Sequence, residues 1–304
     1  MSAIISILAI YSFIALGYIA KGIFKDDISQ KTLILLSIYF LQPILTFWGL
    51  TRVEINYNLI LTPFVYLVVV FSTLIVLIIF AKFIFTDEKD KSIFITTSLI
   101  GNTGNLGIPL GIALFGEQSI AYTSIINIAN VFFIYTVGIF YFAKSQYTFK
   151  QSLLKMVKIP ILWFAIFALL YNYLGLKINL QIDKALEMGA YATIVLQLII
   201  FGIYLNGIKL KSQNYLLSFS TSIVKLIVLP LVGLIFSLLF NLDSYLASIL
   251  IISLSLPLAV STVNIAALYD CKPYEVTYII FLSTILFLFL FYFDLELINT
   301  FFRL

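Results

Sequence analysis

The sequence predicts an all-α integral membrane protein of ten transmembrane helices, arranged as two inverted five-helix repeats with broken helices 4 and 9. Three observations carry this. Hydrophobic residues make up 62% of the chain and charged residues only 11%, where a soluble domain carries about 25% charged residues. The apolar residues fall into ten intervals, each near the roughly 20 residues that a bilayer-spanning helix needs. The fourth and ninth of these combine a mid-span proline with clustered small and polar residues, a composition that interrupts a helix.

In chain order, residues 2–20 are apolar, follow no basic residue and lack a small-residue cleavage site, so they read as a retained first helix rather than a signal peptide. Residues 33–50 form the second span and contain Gln42-Pro43; 59–85 form an apolar run that stops before Asp87. The fourth span is 92–115, and the fifth, 120–143, carries Asn127 and Asn130 three residues apart, hence on one face. The sixth to eighth are 154–174, 186–206 with Gln197, and 216–240 with Lys225. The ninth is 246–268, and the tenth, 276–293, ends where Asp294 brings charge.

Charge gives the topology. With connections assigned alternately, one side holds Lys21, Lys25, Lys31, Lys82, Lys89, Lys91, Lys144, Lys150, Lys155, Lys158, Lys209, Lys211 and Lys272, and the other only Arg52, Lys177, Lys184 and Arg303. The positive-inside rule places the first side in the cytoplasm and both termini outside it. Five helices per half then make residues 1–145 and 146–304 inverted repeats of a single membrane domain, since the second half enters from the opposite face. The charged interval 144–158 is too short for a soluble domain. The absence of a targeting extension and the compact build point to a bacterial cytoplasmic membrane.

Composition also excludes. One cysteine, Cys271, and no histidine remove disulfide scaffolds, zinc sites and histidine bases. No catalytic constellation and no metal site is predicted, because intramembrane hydrolysis wants a base, a metal or paired carboxylates in place. The net charge of +4 is scattered over short loops, so it reads as topology rather than nucleic-acid binding.

The chemistry is expected at the two interruptions. The first is Gly101-Asn102-Thr103-Gly104-Asn105-Leu106-Gly107-Ile108-Pro109, in which glycines loosen the backbone and Pro109 removes a donor. The second is Ser253-Leu254-Ser255-Leu256-Pro257-Leu258-Ala259-Val260-Ser261-Thr262-Val263-Asn264, a mid-span proline among small and hydroxyl residues. Paired interruptions at corresponding positions of two halves are the mark of a transporter's binding site. Half-helix N-termini there offer unpaired N–H groups to an anion. The plainer reading is that these polar residues cap the broken helices and satisfy one another.

These stretches, with Leu110-Gly111-Ile112-Ala113-Leu114-Phe115-Gly116 and Leu41-Gln42-Pro43, resemble the auxin efflux carrier family, including its bacterial organic-anion permeases of malate or malonate type. The resemblance covers the whole chain. It implies a secondary transporter of small organic anions, with a scaffold from helices 1, 2, 6 and 7 and a moving part from helices 3–5 and 8–10 that carries the broken helices 4 and 9 crossing one another. It implies substrate contacts at Asn102, Thr103, Asn105, Pro109, Pro257, Ser261 and Asn264. Where relatives carry a second proline matching Pro43, this chain has Leu196-Gln197, a departure from scaffold symmetry.

Further candidates stand beside these. Asn127 and Asn130 either line the path or bond helices together; Gln42 and Gln197 face the same choice. Lys225, ten residues into its span, either attracts the anion or, as the preferred reading, snorkels to the cytoplasmic interface. The run 87–91 reads as a solvated loop. No cofactor is expected beyond a coupling ion, Na+ or H+. With Glu187, Asp270, Glu275 and Asp294 placed near span ends, uniport or sodium coupling ranks ahead of proton coupling. A membrane potential of about 100 mV drives a monovalent anion outward by roughly 2.3 kcal/mol. The expected partners are the anion and the lipid bilayer, and a homodimer is compatible with the build. The rivals are a sodium-coupled symporter of the bile-acid type and a membrane sensor without transport.

Overall fold

The computed structural model describes residues 2–51, 55–143, 160–206, 214–260 and 262–302, with the side chains of 2–11, 204, 264 and 268 excepted. The described residues are helical and include no strand. The helices are α1 (Ser2–Phe24), α2 (Gln30–Thr51), α3 (Tyr57–Ile84), α4 (Glu88–Thr97), α5 (Thr103–Phe115), α6 (Ser119–Phe142), α7 (Pro160–Tyr173), α8 (Leu180–Asn206), α9 (Tyr215–Leu239), α10 (Ser244–Ser255), α11 (Thr262–Leu268) and α12 (Pro273–Phe302). Six of them, among the described residues, are long and apolar enough to cross a membrane: α2, α3, α6, the 180–203 part of α8, α9 and α12.

Both expected interruptions are present as gaps in helix. The fourth span is divided into α4 and α5 and the ninth into α10 and α11. The first gap lies earlier than expected, at 98–102, and Pro109 sits inside the resumed helix, two residues past a wide turn at Thr103–Gly107. The interval 144–158 and the start of the sixth span lie outside the described residues. The tenth span runs on past 293 to Phe302.

Caps fix several starts. Asp87 accepts from Lys89 N and Asp90 N ahead of α4, Asn214 from Leu217 N ahead of α9, and Asp243 from Leu246 N ahead of α10. Each satisfies donors that a helix leaves open in its first turn.

Four π-turns interrupt the α-helical register: Ser37–Leu41, Thr103–Gly107, Ile134–Gly138 and Val224–Val228. Three end two residues before a proline, namely Pro43, Pro109 and Pro230. The physical reason is shared. Proline has no N–H for the carbonyl four residues back and its ring crowds that carbonyl, so the preceding turn widens.

The chain forms two compact units. The first comprises residues 1–60, 104–128 and 157–207; the second comprises 61–103, 129–156 and 208–304. In the first, α1 and α8 meet at glycines, since a β-carbon at Gly17 or at Gly202 would overlap the other helix's backbone at Ile199 or Ile14. Close approach through small residues is how helices associate in lipid. Its core includes Leu45, Trp48, Ile108, Ile120 and Ala190. The second unit contains both helix gaps except the resumed part of α5.

Candidate functional site

In the second unit the two gaps lie side by side. Asn102 N donates to Pro257 O at 2.9 Å, and Gly101 pairs with Leu258 in an isolated antiparallel bridge. Backbone groups that neither broken helix satisfies thus satisfy each other, as membrane depth demands.

Asn130 braces this crossing. Its Nδ2 donates to Gly101 O at 2.8 Å and to Thr103 Oγ1 at 2.9 Å, while its Oδ1 accepts from Tyr66 OH at 3.2 Å and from Gly101 N at 3.4 Å. With donors and acceptor engaged, it holds the break in shape. From α12, the Ser283 hydroxyl accepts from Leu258 N at 3.3 Å.

Lys225 does not snorkel. It is 1% exposed, and a β-carbon on Gly101 would stand 3.1 Å from its Nζ and 3.4 Å from Ser253 O. The amino group therefore lies against the crossing, and its Nζ has no hydrogen-bond partner. The π-turn ahead of Pro230 carries it. Thr221 and Ser222, one turn earlier on α9 and wholly buried, also have hydroxyls without partners, as does the Asn102 amide Nδ2. A side chain at position 101 would press on this amino group.

In the first unit, a β-carbon on Gly104 would lie 3.1 Å from Asn127 Oδ1 and 3.3 Å from Gln42 Nε2, so these two amides converge on one glycine. Asn105 is half-buried and Pro109 is buried in α5. Gln197 is wholly buried with its amide atoms unbonded. The eleven predicted residues therefore divide. Asn102, Thr103, Asn130, Pro257 and Lys225 belong to the second unit; Gln42, Asn105, Asn127 and Pro109 belong to the first. Ser261 and the side chain of Asn264 lie outside the described residues.

Two other expectations need correction. Asp294 is not at a span end: α12 continues past it and leaves it 2% exposed. Nor is 87–91 a plain solvated loop, because Asp90 is 7% exposed and the run caps and begins α4. Lys272 Nζ donates to Asp90 Oδ1 at 2.6 Å and Asp87 Oδ2 at 2.9 Å, Asn214 Nδ2 to Asp90 Oδ2 at 3.0 Å, and Lys89 Nζ to Asp270 O at 2.6 Å. The Lys272 hydrogen bond holds Asp87 below its ordinary 3.8, and burial pushes the neighbouring Cys271 thiol up to about 11. Thr221 and Ser222 were missed in the sequence, since isolated hydroxyls in apolar runs carry no motif.

The chain matches the membrane transport protein family over residues 2–152 and 146–293. It is also 28% identical over 290 residues to an uncharacterized transporter of Methanocaldococcus jannaschii, covering 91% of this chain and 93% of that one. The broken fourth span, the proline-bearing ninth and these matches along nearly the whole chain agree, and the protein belongs to the membrane transport protein family of auxin-efflux-carrier type.

Proposed function

We propose that the protein carries small organic anions, carboxylates foremost, by alternating access around the crossing of its fourth and ninth spans. The observation that carries this reading is the buried, unpartnered Lys225 Nζ beside Gly101. Charging a buried amine without a partner is several kcal/mol uphill, and an anion arriving at the crossing supplies that partner. The unbonded Asn102 amide next to Gly101 adds a neutral donor of the kind that orients a carboxylate.

The ten-span inverted repeat belongs to the same proposal. Interruptions in spans four and nine, the corresponding members of the two halves, support it. The compact units support a scaffold and a moving part in so far as α1, α2, α7 and α8 fall in one and α4, α9, α10, α11 and α12 in the other, while α5 from Gly104 and α6 as far as Ile128 fall with the first. The lysine distribution supports both termini on the non-cytoplasmic side of a bacterial cytoplasmic membrane.

The test is uptake of radiolabelled mono- and dicarboxylates into proteoliposomes by wild type, Asn105→Ala and Lys225→Met. Saturable flux of one acid, lost with Lys225→Met and weakened with Asn105→Ala, is expected. No flux of any acid from folded protein overturns the reading; binding without flux establishes a sensor instead, and strict dependence on sodium establishes the bile-acid-type symporter.

A further inference from the structure

Asp294 is a buried carboxyl that the anion site does not use. It lies on α12 at 2% exposure, with Oδ2 lacking a hydrogen-bond partner. The Ser255 hydroxyl is its polar neighbour. Ser255 is the last residue of α10, two residues before Pro257, whose carbonyl accepts from Asn102 N in the crossing. One turn away on the same face of α12 stand Phe291 and Ile298, both buried and apolar.

Charged and titratable groups on the neighbouring elements leave Asp294 alone. Within α9 the charged side chain is Lys225, whose ammonium lies by Gly101 and pairs with nothing. In α10 the titratable residue is Tyr245, and α11 has none. In α12 itself Glu296 is exposed, Glu275 lies at the opposite end, and Tyr274, Tyr278 and Tyr292 complete the set. No cation pairs with Asp294 among the described residues. Among the described residues there is also no group of three metal-capable side chains. Sodium is held by several oxygens, in the manner of hard cations generally, and one hydroxyl beside one carboxyl does not furnish them. A proton needs only the carboxylate, and it removes the burden of an unpaired buried charge.

We propose that Asp294 is a proton-binding site at the edge of the ninth-span break, and that its proton is taken up from water on one side and released on the other as the carrier turns over. The proposal rests on the carrier reading for its turnover but not for its proton. The proton adds to the Asp294 carboxylate and leaves from it, with no other bond changed. A monovalent anion moving with it is carried without net charge, so a pH gradient drives what the membrane potential alone would oppose.

The experiment uses the full chain in proteoliposomes with an internal pH-sensitive dye, and malate as the probe, with protein-free liposomes as the blank. Wild type is expected to acidify the lumen as probe enters. Asp294→Asn, which keeps the size and polarity of the protonated acid, is expected to retain probe exchange while losing acidification and accumulation driven by a pH gradient. Infrared difference spectroscopy on the same samples is expected to show a protonated carboxyl at neutral pH in wild type that disappears in Asp294→Asn. Probe flux without luminal acidification, a pH-driven flux unchanged in Asp294→Asn, or no such carboxyl signal overturns the proposal. Absence of any probe exchange while the carboxyl signal persists counts against the anion carrier and leaves the proton site standing.

Discussion

At the scale of single residues, Lys225 and Asn130 are opposites. Asn130 is fully bonded at the crossing, and Lys225 beside it is bonded to nothing. Lys225→Met removes a buried amino group that has no partner, so its thermal unfolding midpoint in detergent is expected to rise, by about 1 kcal/mol or more of stability, as anion flux falls at least about tenfold, the loss of one charge-assisted contact. A midpoint that drops with the flux counts against this account of Lys225. Asn130→Ala leaves Gly101 N and O and Tyr66 OH without their bonds, so it is expected to destabilise by about 2 kcal/mol or more, read as a lower midpoint under denaturant. In the sequence, Asn130 and Lys225 stood out because polar groups in apolar spans are costly and rare. Which was brace and which was bare was illegible, since that depends on partners tens of residues away: Asn130 meets Tyr66 and Gly101, and Lys225 meets Gly101.

At the scale of elements, the three π-turns before Pro43, Pro109 and Pro230 show how local sequence sets distant geometry. The turn before Pro230 inserts one residue into the register of α9, and one residue is about 100° of helix rotation. Pro230→Ala restores a donor for the carbonyl of Leu226 and permits α-helical register. Lys225 is then expected to rotate away from Gly101, and flux to fall while helical content by circular dichroism stays unchanged. Unaltered flux in Pro230→Ala means that the π-turn does not aim Lys225. The existence of the breaks was legible because glycine, proline and amide residues crowd together at mid-span. The position of the first was not, because Pro109 widens the turn ahead of it rather than ending the helix, and the gap falls where α4 stops at Thr97. The extra length of α12 was hidden by Asp294 and Glu296, whose charge mimics the end of an apolar run.

At the scale of the whole molecule, the polar cluster of Asp87, Asp90, Lys89, Asp270, Lys272 and Asn214 ties the beginnings of α4, α9 and α12 together. Asp270 and Lys272 hold left-handed backbone there, at φ 49° and 43°, a strain that surrounding contacts must sustain. Because the Lys272 hydrogen bond lowers Asp87 from its ordinary 3.8, this carboxylate's stabilising share is complete above that value and is lost as pH falls through the lowered one. Hydrogen exchange at the start of α4, corrected for intrinsic rate, is expected to stay flat from about pH 7 to about pH 5 and to quicken only below about pH 4. Quickening already near pH 6 would assign the cluster's stability to another group. The seam between α1 and α8, closed at Gly17 and Gly202, has a consequence for synthesis. At about 5–20 residues per second, the ribosome finishes α8 roughly 10–40 s after α1 has left it, so the first helix waits in the membrane with its glycine notch open to lipid. The first unit is therefore assembled late, by an early helix that is kept in place until its partner arrives.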